Sequence, residues 1–200
     1  MSGTEFVANA LCLDFANTVN KRPNPDRDRL DSVDNLLRWA QDAGLATVPQ
    51  PSRHARSGLT TARHLREAIY SAFSAIASAD KPPPTDISLV MRIYADAVAA
   101  ANLHRDDSRF TLRWPPPLTV PQILWPVATS AAQLLLLGPL DRIGSCPSCG
   151  WLFLDTSRNG QRRWCSMAVC GGRMKARRHY ANRIETGSGA AHRVNPATAD

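Results

Sequence analysis

Four cysteines near the end of this 200-residue chain have the type and spacing of a metal site. Cys146 and Cys149 form a C-x2-C pair, and Cys165 and Cys170 form a C-x4-C pair after a loop of fifteen residues. Two thiolates held by a tight turn, a loop of this length and a second thiolate pair are typical of a tetrahedral four-cysteine zinc site. The spacing therefore predicts one structural Zn²⁺ ion bound by these four residues.

Three other uses of the cysteines fit the sequence less well. A C-x2-C redox dithiol opens a helix within an α/β unit and needs no second pair. Two disulfides require an oxidising compartment, and the N-terminal residues lack the features of a signal peptide. A zinc deaminase requires an H-x-E segment before its P-C-x-x-C motif, and no histidine here is followed two positions later by glutamate.

The segment between the two cysteine pairs predicts a hairpin. Residues 151–154 form a short apolar run, residues 157–160 carry turn chemistry ending in Asn-Gly, and residues 161–164 return toward the third cysteine. A helix then carries the last ligand at its start, which gives a treble-clef-like arrangement. So small a unit depends on its metal, because structural zinc supplies about 10–16 kcal/mol of folding free energy.

The helix that follows Cys170 is strongly basic. From residue 146 onward, nine Arg and Lys residues stand against three acidic ones, a net charge of +6, whereas residues 1–145 contribute only +1 to the chain's +7. Charge concentrated in this way indicates a surface for a polyanion such as DNA. Helical spacing and position select these candidate DNA-contacting residues: Arg158, Arg162, Arg163, Arg173, Lys175, Arg178, Asn182 and Arg183.

Two other partners stay open for this surface. An acidic protein could dock on the basic face, which would make the segment a protein-interaction module. RNA is the other, since Trp151, Phe153 and Trp164 could stack on bases. One helix in a DNA groove buries only about 600–1,000 Å², so a DNA reader of this size is expected to form a homodimer.

Residues 146–177 also carry a specific motif, C-x2-C-x-W-L-F-x-D-x-S-R-N-x-x-R-R-W-C-S-M-x-x-C-G-x-R-x-K-A-R. The motif resembles the CGNR zinc-finger family of bacterial proteins, described as stress-induced transcription regulators. The resemblance implies a DNA-binding zinc finger that follows a helical ABATE domain, and residues 11–18 (LCLDFANT) are similar to the start of that domain. This chain departs from the signature at Gly172, which stands where the family has the Asn that could cap the helix or contact DNA.

The first 140 residues are predicted to form a helical domain. Apolar residues recur at helical spacing over residues 6–19, 33–44, 59–79, 85–103 and 121–137, and residues 110–114 alternate as in a strand. The last helix is interrupted by polar residues and falls short of the roughly 20 residues of a membrane span, so we expect it at the centre of the core. The predicted fold is mainly α (α+β), with an ABATE-like helical domain at 1–140, a treble-clef-like zinc finger at 141–185 and a disordered tail at 186–200.

Asp14 lies among apolar residues, and a buried carboxylate needs a partner. A salt bridge, a turn cap or a small-molecule effector would each provide one, and Asp14, Asn17 and Trp125 are the candidate pocket residues. The sequence shows no P-loop, nucleophile elbow or paired carboxylates, so no enzymatic activity is expected. Without a signal peptide or a clear membrane span, the expectation is a cytoplasmic protein.

Overall fold

The computed structural model describes residues 6–22, 25–45, 55–116 and 118–188, although the side chains of residues 55, 178 and 182–188 lie outside the description. Most of the described chain is helical. The helices are α1 (Leu11–Ala16), α2 (Val33–Asp42), α3 (Ala55–Ala77), α4 (Pro84–Ala99), α5 (Leu124–Leu137) and α6 (Gly172–Ser188), with a 3-10 turn at Leu140–Arg142 and a π-helical turn at Met167–Gly171.

Within the described residues, the strands form three two-stranded antiparallel sheets. They pair β1 (Val19–Asn20) with β2 (Arg27–Asp28), β3 (Asn102–Asp106) with β4 (Arg109–Arg113), and β5 (Ile143–Ser145) with β6 (Leu152–Leu154). A mainly helical chain with small sheets and a C-terminal cluster of four cysteines confirms the predicted fold class.

Two features of the sheets differ from the sequence-based prediction. The helix predicted over residues 85–103 was expected to include residues 102 and 103, but α4 stops at Ala99 and β3 begins at Asn102. The predicted hairpin near the cysteines also differs in its strands. β6 pairs with β5, which precedes the first cysteine, and residues 161–164, the predicted second strand, form no strand. The C-x2-C segment is thus itself the turn of the hairpin.

Local signals account for several helix boundaries. The Ser32 hydroxyl accepts a hydrogen bond from the Asn35 N–H and caps α2. Pro84 occupies the first turn of α4, where an N–H group would have no carbonyl partner within the helix, so a proline costs no hydrogen bond. α1 is shorter than predicted, since residues 6–10 are not helical and lead into it from an extended Ala10.

The core forms around α5, whose residues Leu124, Val127, Ala128 and Ala131 are almost completely buried. The predicted burial of this helix is confirmed for these residues, although Leu136 and Leu137 at its end are exposed. Phe15 of α1 packs edge-on against Trp39 of α2 at a ring distance of 4.8 Å. Other large side chains with no exposed surface are Phe73, Leu65, Ile69 and Leu13. Burying each side chain of this size contributes about 1.5–3 kcal/mol.

The chain divides into two compact units, one ending at Cys165 and the other beginning at Ser166. The first contains α1–α5 and all three sheets, and the second contains the π-helical turn and α6. Among the described residues, none of the helices has the length and apolar character needed to cross a bilayer. Residues 189–200, most of the predicted tail, lie outside the description.

Candidate metal centre

The four predicted ligands converge. The Sγ atoms of Cys146, Cys149, Cys165 and Cys170 all lie within 4.8 Å of one another, and all four residues are buried. The Sγ atoms of Cys149 and Cys165 are 3.5 Å apart. Thiolates bound tetrahedrally at about 2.3 Å from one Zn²⁺ ion would sit roughly 3.8 Å apart. The donor set and its spacing therefore fit one structural zinc ion, and the fifth cysteine, Cys12, is buried elsewhere in the helical core.

The first two ligands are positioned by a tight turn between β5 and β6. The Cys146 N–H donates to the Trp151 carbonyl at 2.8 Å, and the Gly150 N–H donates to the Cys146 carbonyl at 2.8 Å. Gly150 has φ of 73°, in the left-handed region where a side chain would be strained. Gly144 allows close packing, since a Cβ there would lie 2.7 Å from the Phe153 ring.

The loop after β6 is organised by Asp155. One of its carboxylate oxygens accepts from the Ser157 N–H and the other from the Arg162 N–H, each at 2.8 Å. Hydrogen bonding by Ser157, then by the Arg162 backbone, lowers the pKa of Asp155. The carboxylate therefore closes the loop that was predicted to be a hairpin turn.

The last ligand, Cys170, lies in the π-helical turn at the start of the second unit. The Ser166 hydroxyl accepts from the Val169 N–H at 3.3 Å and caps this turn. Gly172 then adopts helical angles, φ −61° and ψ −44°, and a Cβ there would meet nothing closer than 3.9 Å. The capped π-helical turn runs directly into α6, and Gly172 stands in the helix where the CGNR signature has Asn.

The hairpin that carries Cys146 and Cys149 is hydrogen-bonded to the helical part of the first unit. Asn17 makes the central contact: its side-chain amide donates to the Leu152 carbonyl at 2.8 Å and its Oδ1 accepts from the Leu152 N–H at 2.9 Å. Trp151 donates from Nε1 to the Val19 carbonyl at 2.9 Å. Two further bonds join the Arg22 N–H to the Cys149 carbonyl and the Tyr70 hydroxyl to the Gly150 carbonyl, each at 3.1 Å.

Asp14 holds the segment before α1 against the same hairpin. Its Oδ1 accepts from the N–H groups of Val7 and Ala8 at 2.9 Å, and the Ala8 carbonyl accepts from the Leu154 N–H at 2.8 Å. Burial raises the pKa of Asp14 to about 6, against the opposing effects of the two backbone hydrogen bonds and of the charge on Arg162.

The candidate pocket residues therefore differ in their surroundings. Asp14 and Asn17 bind backbone groups, whereas Trp125 lies on α5 with its ring 6.4 Å from that of Trp114. In the described part of the chain, two surface clefts have volumes of about 440 and 360 Å³, and none of the three residues lines either one. Their role in binding an effector stays a prediction.

Five of the eight candidate DNA-contacting residues have described side chains, and these five fall into two groups. Arg158, Arg163, Arg173 and Lys175 are exposed and form no salt bridge with any described residue. Arg162 instead donates to the carbonyls of Val7, Leu154, Trp164 and Cys165, and its guanidinium stacks on the Phe153 ring at 4.6 Å. This engagement gives Arg162 a structural role. The side chains of Arg178, Asn182 and Arg183 lie outside the description.

Sequence reasoning did not find the contacts made by Arg22, Tyr70 and Arg162. The Arg22 backbone N–H, the Tyr70 hydroxyl and the Arg162 guanidinium each donate to a backbone carbonyl far away in the sequence, and no local spacing marks such a contact. The available signal was the unusual polarity of Asp14 and Asn17 within the apolar LCLDFANT segment. Both residues bind backbone groups in the structure.

The fold and the metal site define a zinc-finger protein with a helical domain at its N-terminal side. Residues 9–138 match the ABATE family, described as "Putative stress-induced transcription regulator", and residues 142–183 match the CGNR zinc finger. The chain belongs to the ABATE family and carries a CGNR zinc finger, which confirms the resemblance seen in the sequence. Neither is an enzyme family. Among curated proteins, none is significantly similar to the chain.

Proposed function

We propose that the protein is a zinc-dependent transcription regulator whose finger binds DNA and whose helical domain senses a ligand or dimerises. The observation that carries the proposal is the exposed positive charge of the described side chains at the start of α6. Arg173, Lys175 and Arg177 are all exposed, and none pairs with a carboxylate of the described residues. Lysine and arginine in this state are free to meet phosphates, which dominate the affinity of proteins for DNA.

The metal has an indirect role in this function. Zinc holds the turn that contains Cys170, and α6 begins two residues after it, at Gly172. The basic residues nearest the metal are therefore positioned by the folded zinc site. Removal of zinc is expected to abolish DNA binding because metal binding and folding of such a site are coupled.

RNA is a weaker candidate than DNA for this surface. Trp151 and Phe153 are only 5% and 2% exposed, and Trp151 donates its indole N–H to a backbone carbonyl. Buried rings cannot stack on bases. Trp164 is half-buried, and the Arg163 guanidinium lies 5.2 Å from the centre of the Trp164 ring. An acidic protein partner would use the same exposed charges as DNA, so an experiment has to separate the two.

The test is a binding titration of zinc-loaded protein against duplex from its own promoter region and against random duplex, at several salt concentrations. The variant Arg173→Ala/Lys175→Ala removes two charges from α6. The control Arg56→Ala/Arg92→Ala removes two exposed charges from α3 and α4, so both variants have the same net charge.

We expect the α6 variant to bind promoter duplex more weakly, with a salt slope about 0.9 shallower for each phosphate that the variant no longer neutralises. The control should behave like the natural protein, and sedimentation should show two chains on each duplex. Equal weakening in both variants would mean that only net charge matters. Weak, sequence-blind binding that vanishes near physiological salt would refute DNA reading and favour an acidic protein partner.

A further inference from the structure

Four large apolar side chains of the helical part of the chain lie open to solvent. Leu103 of β3 and Phe110 of β4 are 70% and 65% exposed, and Leu136 and Leu137 at the end of α5 are 62% and 86% exposed. Single exposed apolar side chains are common on protein surfaces, whereas a contiguous group of them marks an interaction site. What these four residues do therefore depends on whether they share one surface.

Strand register places the apolar side chains of the β3–β4 hairpin on one face. Leu103 pairs with Leu112 and Arg105 with Phe110, so these four side chains lie on the same side of the two-stranded sheet. Leu103, Phe110 and Leu112 also line a cleft of about 360 Å³ between the hairpin and α5. The apolar face of the hairpin therefore borders α5 without being covered by it.

Helical spacing places the two leucines of α5 beside the same cleft. Thr129 and Gln133 line the cleft from the helix, and Leu136 and Leu137 follow Gln133 by three and four positions. Residues at these separations share one face of a helix, about 5.4 Å apart along its axis. The exposed apolar surface thus continues from the hairpin, past the cleft, to the end of α5.

The opposite face of the hairpin is polar. Asp106 accepts a hydrogen bond from the Thr111 hydroxyl at 3.0 Å. Its other carboxylate oxygen lies 3.3 Å from Nδ1 of His104 and 3.5 Å from a guanidinium nitrogen of Arg113. The polar face is thus satisfied within the chain, whereas the apolar face is in contact with water. Because a two-stranded sheet is marginally stable alone, a partner on the apolar face would stabilise the hairpin.

The size of the apolar surface matches what a protein dimer buries. A large apolar side chain has an accessible surface of about 150–200 Å², so the four exposed residues together present roughly 400–550 Å². A stable interface buries about 800 Å² on each partner, of which about 57–65% is apolar, or about 450–520 Å². One copy of the chain therefore offers enough apolar surface for one half of such an interface.

We propose that the surface formed by Leu103, Phe110, Leu136 and Leu137 binds the same surface of a second copy of the chain. A two-fold dimer requires one patch that fits itself, and this patch combines a cleft with exposed apolar side chains. The assignment names the surface for the dimerisation proposed above for the helical domain, and it rests on that proposal.

The distribution of charge favours a second copy over a polyanion at this surface. Residues 1–145 contain 15 basic and 14 acidic residues, a net charge of +1, so two helical domains would not repel each other strongly. DNA is bound mainly through its phosphates, and leucine and phenylalanine offer them no charge. Arg105 lies beside Phe110 on the apolar face, where its aliphatic stem can pack while its guanidinium stays in water at the rim.

The test is sedimentation equilibrium of the full-length, zinc-loaded protein without DNA, from about 1 to 100 μM. We expect the natural protein to form dimers in this range. The variants Phe110→Asp on the hairpin and Leu137→Asp on α5 each place two carboxylates in the interface, one from each copy. Each should weaken dimerisation at least thirtyfold, roughly the effect of losing an interface hot spot. Zinc content and circular dichroism should stay unchanged, because both side chains are exposed in the single chain.

The control is Asn102→Asp, which adds the same charge to the polar face of the same hairpin. Asn102 is exposed and pairs with Arg113 in the register, so this variant should dimerise like the natural protein. A natural protein that stays monomeric at about 100 μM, dimers that survive either substitution, or equal weakening by the control would overturn the proposal. A dimer that fails to bind DNA would refute only the DNA proposal, and a monomer that binds DNA would refute only this one.

Discussion

Replacing Asn17 with alanine tests whether the zinc hairpin and the helical core form one cooperative unit. The Asn17 side chain makes two hydrogen bonds to the backbone of Leu152, at 2.8 and 2.9 Å. Asn17 is 3% exposed and Leu152 has no exposed surface. The substitution would therefore leave one buried N–H group and one buried carbonyl without partners.

The expected loss of stability follows from these two groups. An unsatisfied buried donor or acceptor costs about 1–3 kcal/mol, so Asn17→Ala should lower the free energy of unfolding by about 2–6 kcal/mol. Small domains have unfolding free energies of only about 5–15 kcal/mol. Zinc affinity should fall as well, because Cys146 and Cys149 lie on the same hairpin. A decrease of about 1.4 kcal/mol in the free energy of docking the hairpin would weaken apparent zinc binding about tenfold.

Urea unfolding at fixed free zinc gives the stability, and competition with a chromogenic chelator gives the zinc affinity. The matched control is Asn20→Ala, since Asn20 makes one exposed hydrogen bond, to Asp26. We expect the control to lose less than about 1 kcal/mol and to keep its zinc affinity. If Asn17→Ala lost no more than the control, or lost stability with zinc binding unchanged, the inference that the hairpin and the helices fold together would be refuted.

Two other predictions follow from polar groups near the same hairpin. The Arg162 guanidinium binds the carbonyls of Val7 and Cys165. Arg162→Ala should therefore lower the melting temperature and expose the segment around Val7 to proteolysis. Arg163→Ala should do neither, because the Arg163 side chain does not make these bonds. Asp14 has a folded-state pKa of about 6, above its ordinary value of 3.8. The folded protein therefore holds this proton more tightly than the unfolded protein does. It should lose stability as the pH rises from 3.8 to about 6. Relative to Asp14→Asn, the natural protein should lose at most about 3 kcal/mol over this range, measured by urea unfolding; a flat difference would contradict the raised pKa.

The metal site could be predicted because its chemistry is local in sequence. Four cysteines at C-x2-C and C-x4-C spacing have few other uses than binding a metal ion, and the four Sγ atoms converge as expected. The burial of most of α5 was predictable for a similar reason, since an apolar run without charges favours the core, although Leu136 and Leu137 at its end are largely exposed. In both cases the deciding information lies within a short stretch of chain.

The partner of β6 could not be predicted in the same way. The apolar run 151–154 and the Asn-Gly turn after it suggested pairing with the residues that follow. Asp155 prevents this by binding the N–H groups of Ser157 and Arg162, which folds the following segment into a loop. A carboxylate that binds nearby backbone competes with a strand ladder, and the sequence alone does not show which arrangement has the lower free energy.

For the polar residues of the LCLDFANT segment, the sequence predicted that a buried side chain needs a partner but did not identify that partner. Asp14 was expected to need a partner, and it has two backbone N–H donors. The sequence could not distinguish a bound molecule from the protein's own backbone, because both present the same hydrogen-bonding groups. Only the path of residues 7–8, brought beside Leu154, settles which donors Asp14 meets.

The two family matches meet between residues 138 and 142, but the segments on either side are joined by hydrogen bonds. Asn17 and Tyr70 donate hydrogen bonds across this boundary to the carbonyls of Leu152 and Gly150, and the Trp151 indole N–H donates back across it to the Val19 carbonyl. A ligand that shifts the end of α1 must therefore strain these bonds or move the hairpin with it. If the helical domain senses an effector, the coupling is reciprocal by thermodynamic necessity. An effector that raises the affinity of the protein for zinc or DNA by a given factor must itself bind more tightly, by the same factor, when that zinc or DNA is bound. An effector that lowers this affinity must bind more weakly by the same factor.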